Sequence, residues 1–181
     1  MSEPDDGIDA LSLRDRDRLQ EIADLGITDP EVDAVLKELA AEAAEKLDMP
    51  ISLVSIVLDE AQFFAASHGL TGWLAETRGT PVEWSFCAHA VSRRGPFVVE
   101  DAVTHPATSD NPLVTEDGIR CYAGIPLISS RGFALGTLCV LGVESRTFEE
   151  KDLDILRSLA DKAIRRIESR RGDQGDRNPS R

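Results

Sequence analysis

The segment His105–Val143 reads HPATSDNPLVTEDGIRCYAGIPLISSRGFALGTLCVLGV, and its second half decides the fold. Ile119–Ser129 and Phe133–Val143 are the two longest strand candidates in the chain, apolar and bounded by turn-forming residues. Ser130-Arg131-Gly132 joins them as a short turn. The residues just before, Asp101–Gly118, are polar and irregular, and an open stretch of that length inside a compact domain is expected to be a functional loop.

Working outward toward the N-terminus, Phe97–Glu100 reads as a further strand. It follows Gly95-Pro96, which break a short helix expected to be capped by Ser85 and to run to about Ser92. Gly69–Pro81 is rich in glycine and reads as a loop. Ile51–Leu58 and Gln62–His68, parted by Asp59-Glu60-Ala61, form an antiparallel hairpin. Before the hairpin stand two helices. The first spans Ser12 to Leu25, with Leu19, Ile22 and Leu25 on one side and Gly26 as its stop. The second carries Val32, Val35, Leu36, Leu39, Ala40, Ala43 and Leu47 at helical spacing, with Asp29 as cap, Pro30 in the first turn and Met49-Pro50 at its end.

On the C-terminal side, Thr147-Phe148-Glu149-Glu150 has the form of a capping box. Leu153, Leu156, Leu159, Ala160, Ala163 and Ile167 give the last helix a buried stripe. Residues 1–10 read as a flexible acidic arm, 11–171 as one domain and 172–181 as a disordered tail. Helices at both ends of the chain around a mostly antiparallel sheet define an α+β layer structure. The terminal helices cover one face, and the short helix and loops close a pocket on the other.

Composition narrows the function. A chain of 181 residues supports one well-packed core. A formal net charge of −13, from 33 acidic and 20 basic residues, repels phosphate backbones and anionic lipid, so neither nucleic acid nor a membrane surface is expected as a partner. The polar, acidic start MSEPDDGIDA is unlike a signal peptide, and a cytoplasmic protein is expected. Arg165, Arg166, Arg170 and Arg171 are read as cations that complement the end of the last helix. The cysteines Cys87, Cys121 and Cys139 are odd in number, widely spaced and free of any C-x-x-C pattern, which makes them buried free thiols.

The middle of the chain resembles the second half of a GAF domain, in the bacterial subgroup associated with signal-transduction histidine kinases and diguanylate cyclases. The residues that carry the resemblance are Asp110-Asn111-Pro112-Leu113-Val114, Ile119-Arg120-Cys121-Tyr122-Ala123-Gly124-Ile125-Pro126-Leu127 and Leu135-Gly136-Thr137-Leu138-Cys139-Val140. Ser85-Phe86-Cys87-Ala88-His89-Ala90 and the opening hairpin match as well, so the similarity runs from about Leu19 to Ile167. It implies a sheet of about five to six antiparallel strands, a ligand-sized cavity on one face and a helical face that commonly dimerises. In relatives the last helix runs into a kinase or cyclase. Here output is expected to pass through the terminal helices to a separate signalling partner or through a homodimer. The family binds ligands too varied to name one, and no cofactor is required by the pattern.

Cys87 and His89 stand at i and i+2 of one short helix and point apart, so no shared metal site is expected. One GAF-fold branch, the free methionine-(R)-sulfoxide reductases, uses a thiolate nucleophile. Cys87 falls near one of that branch's cysteines, but the attacking position, around Val114-Thr115-Glu116, holds none. Cys121 and Cys139, on adjacent strands, are candidates to approach each other across the hairpin. No catalytic residues are assigned. The candidate ligand site comprises Trp84, Phe86, Cys87, Asp101, Asp110, Asn111, Arg120 and Tyr122. If Arg120 faces inward it suits an anionic or amide ligand, and otherwise it clamps the loop through Asp101 or Asp110. The expected function is a sensory or regulatory module binding a small molecule or partner, with a thiol-dependent reductase and a ligand-free scaffold as alternatives. A cavity filled by side chains would favour the scaffold.

Overall fold

The computed structural model describes residues 8–27 and 33–176. Its centre is one antiparallel sheet of strands β1 (Ile51–Val57), β2 (Ala61–His68), β3 (Gly79–Pro81), β4 (Phe97–Val99), β5 (Cys121–Ile128) and β6 (Ala134–Gly142), in the spatial order β3-β2-β1-β6-β5-β4. The long hairpin read from the sequence is β5–β6, with Gly124 opposite Cys139 and Cys121 opposite Gly142. Strand β6 also pairs with β1, so the first hairpin, β1–β2, and the last lie side by side. That junction is tight. A Cβ on Gly136 would stand 1.8 Å from the backbone oxygen of Ser55, so only glycine fits there.

Strand side chains alternate between faces, and here both faces are buried, each in its own core. Helices α2 (Arg16–Leu25), α3 (Ala34–Leu47) and α7 (Glu150–Asp176) pack on the first face, where Leu36, Leu47, Leu156 and Ile167 meet Val54, Leu138 and Val140. On the second lie α1 (Ala10–Leu13) and α5 (Cys87–Arg93), where Leu13, Phe86 and Val91 meet Leu53, Cys139 and Leu141. Two short helices, α4 (Gly72–Thr77) and α6 (Pro112–Thr115), complete that side. The α+β architecture and the division of helices between the faces follow the sequence reading.

Several local expectations are corrected. The helix expected over Ser12–Leu25 is two, α1 and α2, because Asp9 and Asp15 each cap a separate start. In the first turn of α2 Arg18 is buried, donating to the carbonyls of Leu13, Val57 and Ala134, which pins the break onto the sheet. The α3 helix starts at Ala34, with the Asp33 carboxylate accepting from Val35 and Leu36 N–H. The expected cap at Asp29-Pro30, and Val32, lie outside the described residues. The reciprocal cap of α7 sits two residues later than Thr147: the Asp152 carboxylate accepts from the Glu149 N–H. Gly69–Pro81 holds α4 and β3, and Pro112–Thr115 of the expected loop is helical under an Asn111 cap.

Helix α7 continues to Asp176, into the stretch expected as tail, so Arg165 and Arg166 are not at its end. Arg166 instead pairs with Asp33 at 3.0 Å, joining α7 to the start of α3. Of the residues expected as an arm, Asp9 is tied down, its N–H donating to Ser92 Oγ, while residues 1–7 lie outside the description. The apolar stripes of the terminal helices are used within the fold. Ile22 and Ile167 are buried, and Leu19 and Leu153 pack partly buried against the same core.

Candidate functional site

Beneath α4 the second core leaves a cavity of about 30 Å³, lined by residues including Leu53, Gln62, Phe64, Leu70, Leu74, Phe86, Cys87, Leu113 and Tyr122. This volume holds about one or two waters. Its floor is polar. Gln62 Oε1 accepts from the Ser85 hydroxyl at 2.7 Å and the Ser55 hydroxyl at 3.0 Å, and Gln62 Nε2 donates to Thr80 Oγ1 at 2.7 Å. Ser85 Oγ in turn accepts from the Ala88 N–H, so the expected cap of α5 is present and is wired into the cavity floor. On the same sheet face Thr137 Oγ1 is buried with no hydrogen-bond partner among the described residues.

Beside this floor Cys87 and Cys139 face each other with sulfurs 3.8 Å apart, and the Tyr122 hydroxyl donates to Cys87 Sγ at 3.4 Å. Tyr122 lies along its own strand, its hydroxyl 2.1 Å from where a Cβ on Gly124 would be, so the glycine two residues on makes room for the ring. Burial would push the Cys87 thiol up, but donors led by Cys139 outweigh it and set Cys87 below the ordinary thiol range. Burial and the facing Cys87 push Cys139 well above that range, and burial does the same to the Tyr122 phenol.

The roof is α4. None of its residues is buried. It is entered through Gly69 and Gly72 and left through Arg78, all at positive φ. Leu70 and Leu74 face the cavity from it. Trp73 anchors it, its indole N–H donating to Asp117 at 2.9 Å and its ring set edge-on to Trp84 at 6.0 Å.

The eight candidate site residues therefore separate. Phe86, Cys87 and Tyr122 line the cavity together. Trp84 stands at its rim against Trp73. Asn111 holds the loop, donating to the Trp84 carbonyl at 3.1 Å while capping α6. Asp101 closes a turn on the Val103 N–H, and Asp110 accepts from Ser109. Arg120 does not line the cavity, nor is either aspartate its clamp. Its guanidinium donates to the carbonyls of Val114 and Ile119, fixing the loop to the strand.

The expected approach of Cys121 to Cys139 is overturned by register. Cys121 pairs with Gly142, three residues from Cys139, and its side chain enters the helical core while Cys139 faces the cavity side. His89 stacks on Phe97 at 4.7 Å. No cluster of three or more His, Cys, Asp or Glu fit to hold a metal occurs among the described residues. The sequence reading missed Gln62, Leu70, Trp73, Leu74 and Cys139. Gln62 had a signal, an amide directly before the apolar run Phe63–Ala66, facing the same side as Phe64.

A six-stranded antiparallel sheet in this order, with α2, α3 and α7 on one face and a small cavity under short helices on the other, is an α+β architecture of the GAF type. A family model for the GAF domain matches residues 31–167, and the chain belongs to the GAF family. A curated cyclic di-GMP phosphodiesterase of Pseudomonas aeruginosa is 40% identical over 149 residues, 81% of this chain, and the chain spans only 24% of that protein's length. Among solved structures, the GAF domain of a phosphoenolpyruvate-protein phosphotransferase from Coxiella burnetii superposes with a TM-score of 0.67 at 22% identity, covering 92% of this chain and 99% of that one. A free methionine-R-sulfoxide reductase from Neisseria meningitidis, solved with its substrate, gives 0.63 at 23% identity and 96% coverage of both chains. These last two likenesses show the shared fold. No helix among the described residues is long and apolar enough to cross a membrane.

Proposed function

We propose that this chain is a regulatory GAF module of cytoplasmic signalling chemistry, with its input site beneath α4 and its output through α2, α3 and α7. The observation that carries the reading is α4 itself. It is a helix with no buried residue, between positive-φ hinges, roofing an apolar cavity whose one amide side chain, Gln62, is already bonded to Ser55, Ser85 and Thr80. Those bonds satisfy the amide within the fold, so the support for an input site is the thinly held roof over an apolar hollow. In the closed arrangement the cavity admits only water-sized guests, which is the state expected of a ligand-free scaffold. A ligand enters by lifting α4.

The lining residues carry no arginine, lysine, aspartate or glutamate. The fitting ligand is therefore a small neutral molecule, apolar with one hydrogen-bonding end, and an anionic nucleotide is disfavoured. The lack of a cysteine around Val114-Thr115-Glu116, where the reductase branch carries its attacking thiol, weighs against a reductase acting on an amino-acid sulfoxide. The similarity to one part of a cyclic di-GMP phosphodiesterase supports a place for the module in the control of such an enzyme. It acts there as a regulator rather than as the phosphodiesterase. Homodimerisation is a further mode of output, carried by the helical layer.

Hydrogen exchange tests the lid. Amides of Gly72–Thr77 should exchange at least about 100-fold faster than those of α5 if α4 opens locally. Native mass spectrometry of the chain purified from its own host should show a neutral adduct that is absent from Leu74→Glu. Protection of α4 equal to that of α5, together with an adduct-free chain, overturns the reading in favour of a scaffold.

A further inference from the structure

We propose that Cys87 and Cys139 form a peroxide-oxidisable dithiol that closes to a disulfide tying α5 to β6. The two sulfurs are 3.8 Å apart, on a helix and a strand separated by 52 residues of sequence. A disulfide requires a sulfur separation of about 2.05 Å, so closure needs about 1.8 Å of combined approach from the present 3.8 Å. No other element has to move aside, because the pair is already in contact. Cys121 lies on the opposite sheet face and cannot compete.

Three further observations assign roles within the pair. Cys87 lines the cavity and Cys139 does not, so Cys87 is the sulfur an entering oxidant meets. The cavity, about 30 Å³, suits a molecule of two oxygens and excludes bulky alkyl hydroperoxides. The Tyr122 hydroxyl donates to Cys87 Sγ and the Cys139 sulfur is in contact with it, and a thiolate at Cys87 would accept from both. Their effect on the titration of Cys87 has the same sign.

The chemistry balances with hydrogen peroxide as oxidant. The Cys87 thiolate attacks one peroxide oxygen, the O–O bond breaks, and the leaving hydroxide takes up the proton given up by Cys87 and departs as water. Cys87 is now a sulfenic acid. The Cys139 sulfur attacks Cys87 Sγ, an S–S bond forms, the S–O bond breaks, and the hydroxyl leaves with the Cys139 proton as a second water. Two thiols and one peroxide yield one disulfide and two waters, with two electrons passing from sulfur to oxygen.

Trypsin separates the three cysteines onto different peptides, Gly79–Arg93, Cys121–Arg131 and Gly132–Arg146. The full chain is treated with hydrogen peroxide, unfolded in N-ethylmaleimide and digested. The expected product is about 2 Da lighter, with Gly79–Arg93 linked to Gly132–Arg146 and Cys121 fully alkylated. In Cys87→Ser, checked for folding by circular dichroism, loss of the Cys139 thiol should slow at least about tenfold. Should that variant fail to fold, Cys121→Ser should form the crosslink at the wild-type rate. Full alkylation of all three cysteines after hours in millimolar peroxide, or crosslinks that involve Cys121, would overturn the assignment. Trapping of a sulfinic acid on Cys87 with Cys139 still free would do so too. None of these outcomes depends on whether a ligand binds under α4.

Discussion

Replacing Gln62 by leucine probes the cavity floor most directly. The side chain is close to isosteric, so the change removes polarity with little change of volume. Three hydrogen bonds are lost, those from Ser55 and Ser85 and that to Thr80. Each contributes about 1 kcal/mol net. The partners do not suffer equally. Ser85 still accepts from Ala88 N–H and Thr80 still donates to the Pro81 carbonyl. Ser55, buried on the central strand β1, is left with an unsatisfied hydroxyl that costs about 1–3 kcal/mol more. Apolar burial of leucine returns about 1–2 kcal/mol. The expected loss is about 3 kcal/mol, read as a lower urea midpoint at unchanged m-value. Adding Ser55→Ala should restore about 1–2 kcal/mol, because two apolar partners are better than one orphan. A loss below about 1 kcal/mol, or a double variant weaker than the single one, would refute the claim that Gln62 is what satisfies Ser55.

Three further outcomes are expected. Asp33→Ala removes the α3 cap and the Arg166 partner together. It should cost about 2 kcal/mol in urea unfolding, about 1 from the cap and at most about 1 from the pair, whose arginine is partly exposed. Tyr122 is the only tyrosine, and burial raises its phenol well above the usual value. The folded state therefore holds the proton that the unfolded chain releases near pH 10, so stability is full below about pH 10 and falls as pH rises beyond it. Absorbance at 295 nm should stay flat past that point and then rise only with unfolding. Gly124→Ala places a methyl where the Tyr122 hydroxyl lies. It should cost about 2 kcal/mol and bring the absorbance rise down toward the ordinary phenol range.

The fold was largely legible because its long elements have clear periods. Leu36, Leu39, Ala43 and Leu47 announce α3, and the hairpin strands are long, apolar and separated by a glycine turn. What escaped lies where local signals are weak or compete. Nothing between Ser12 and Leu25 breaks a helix outright, and the division at Asp15 is visible only as a second capping aspartate. The glycines around α4 read as loop because a six-residue helix with no buried residue has no apolar stripe to betray it. At the site, aromatic and thiol residues were recognisable as candidates, but their grouping was not. Arg120 looked like a ligand-binding cation, yet its acceptors are backbone carbonyls that no sequence pattern displays. The cysteine partnership turned on register. Cys121 and Cys139 look like neighbours until the pairing of Cys121 with Gly142 puts them on opposite faces, and the true partner of Cys139 comes from a helix far away in sequence.

Strand β6 has no residue open to water along its whole length. It works as a bulkhead between two sealed compartments, with Leu138 and Val140 pressing on one and Cys139 and Leu141 on the other. Neither face of this strand has a solvent side, so a change of volume next to it in one core is felt across the same wall in the other. If the module receives on one face and reports on the other, as proposed, this partition is the one element both sides share.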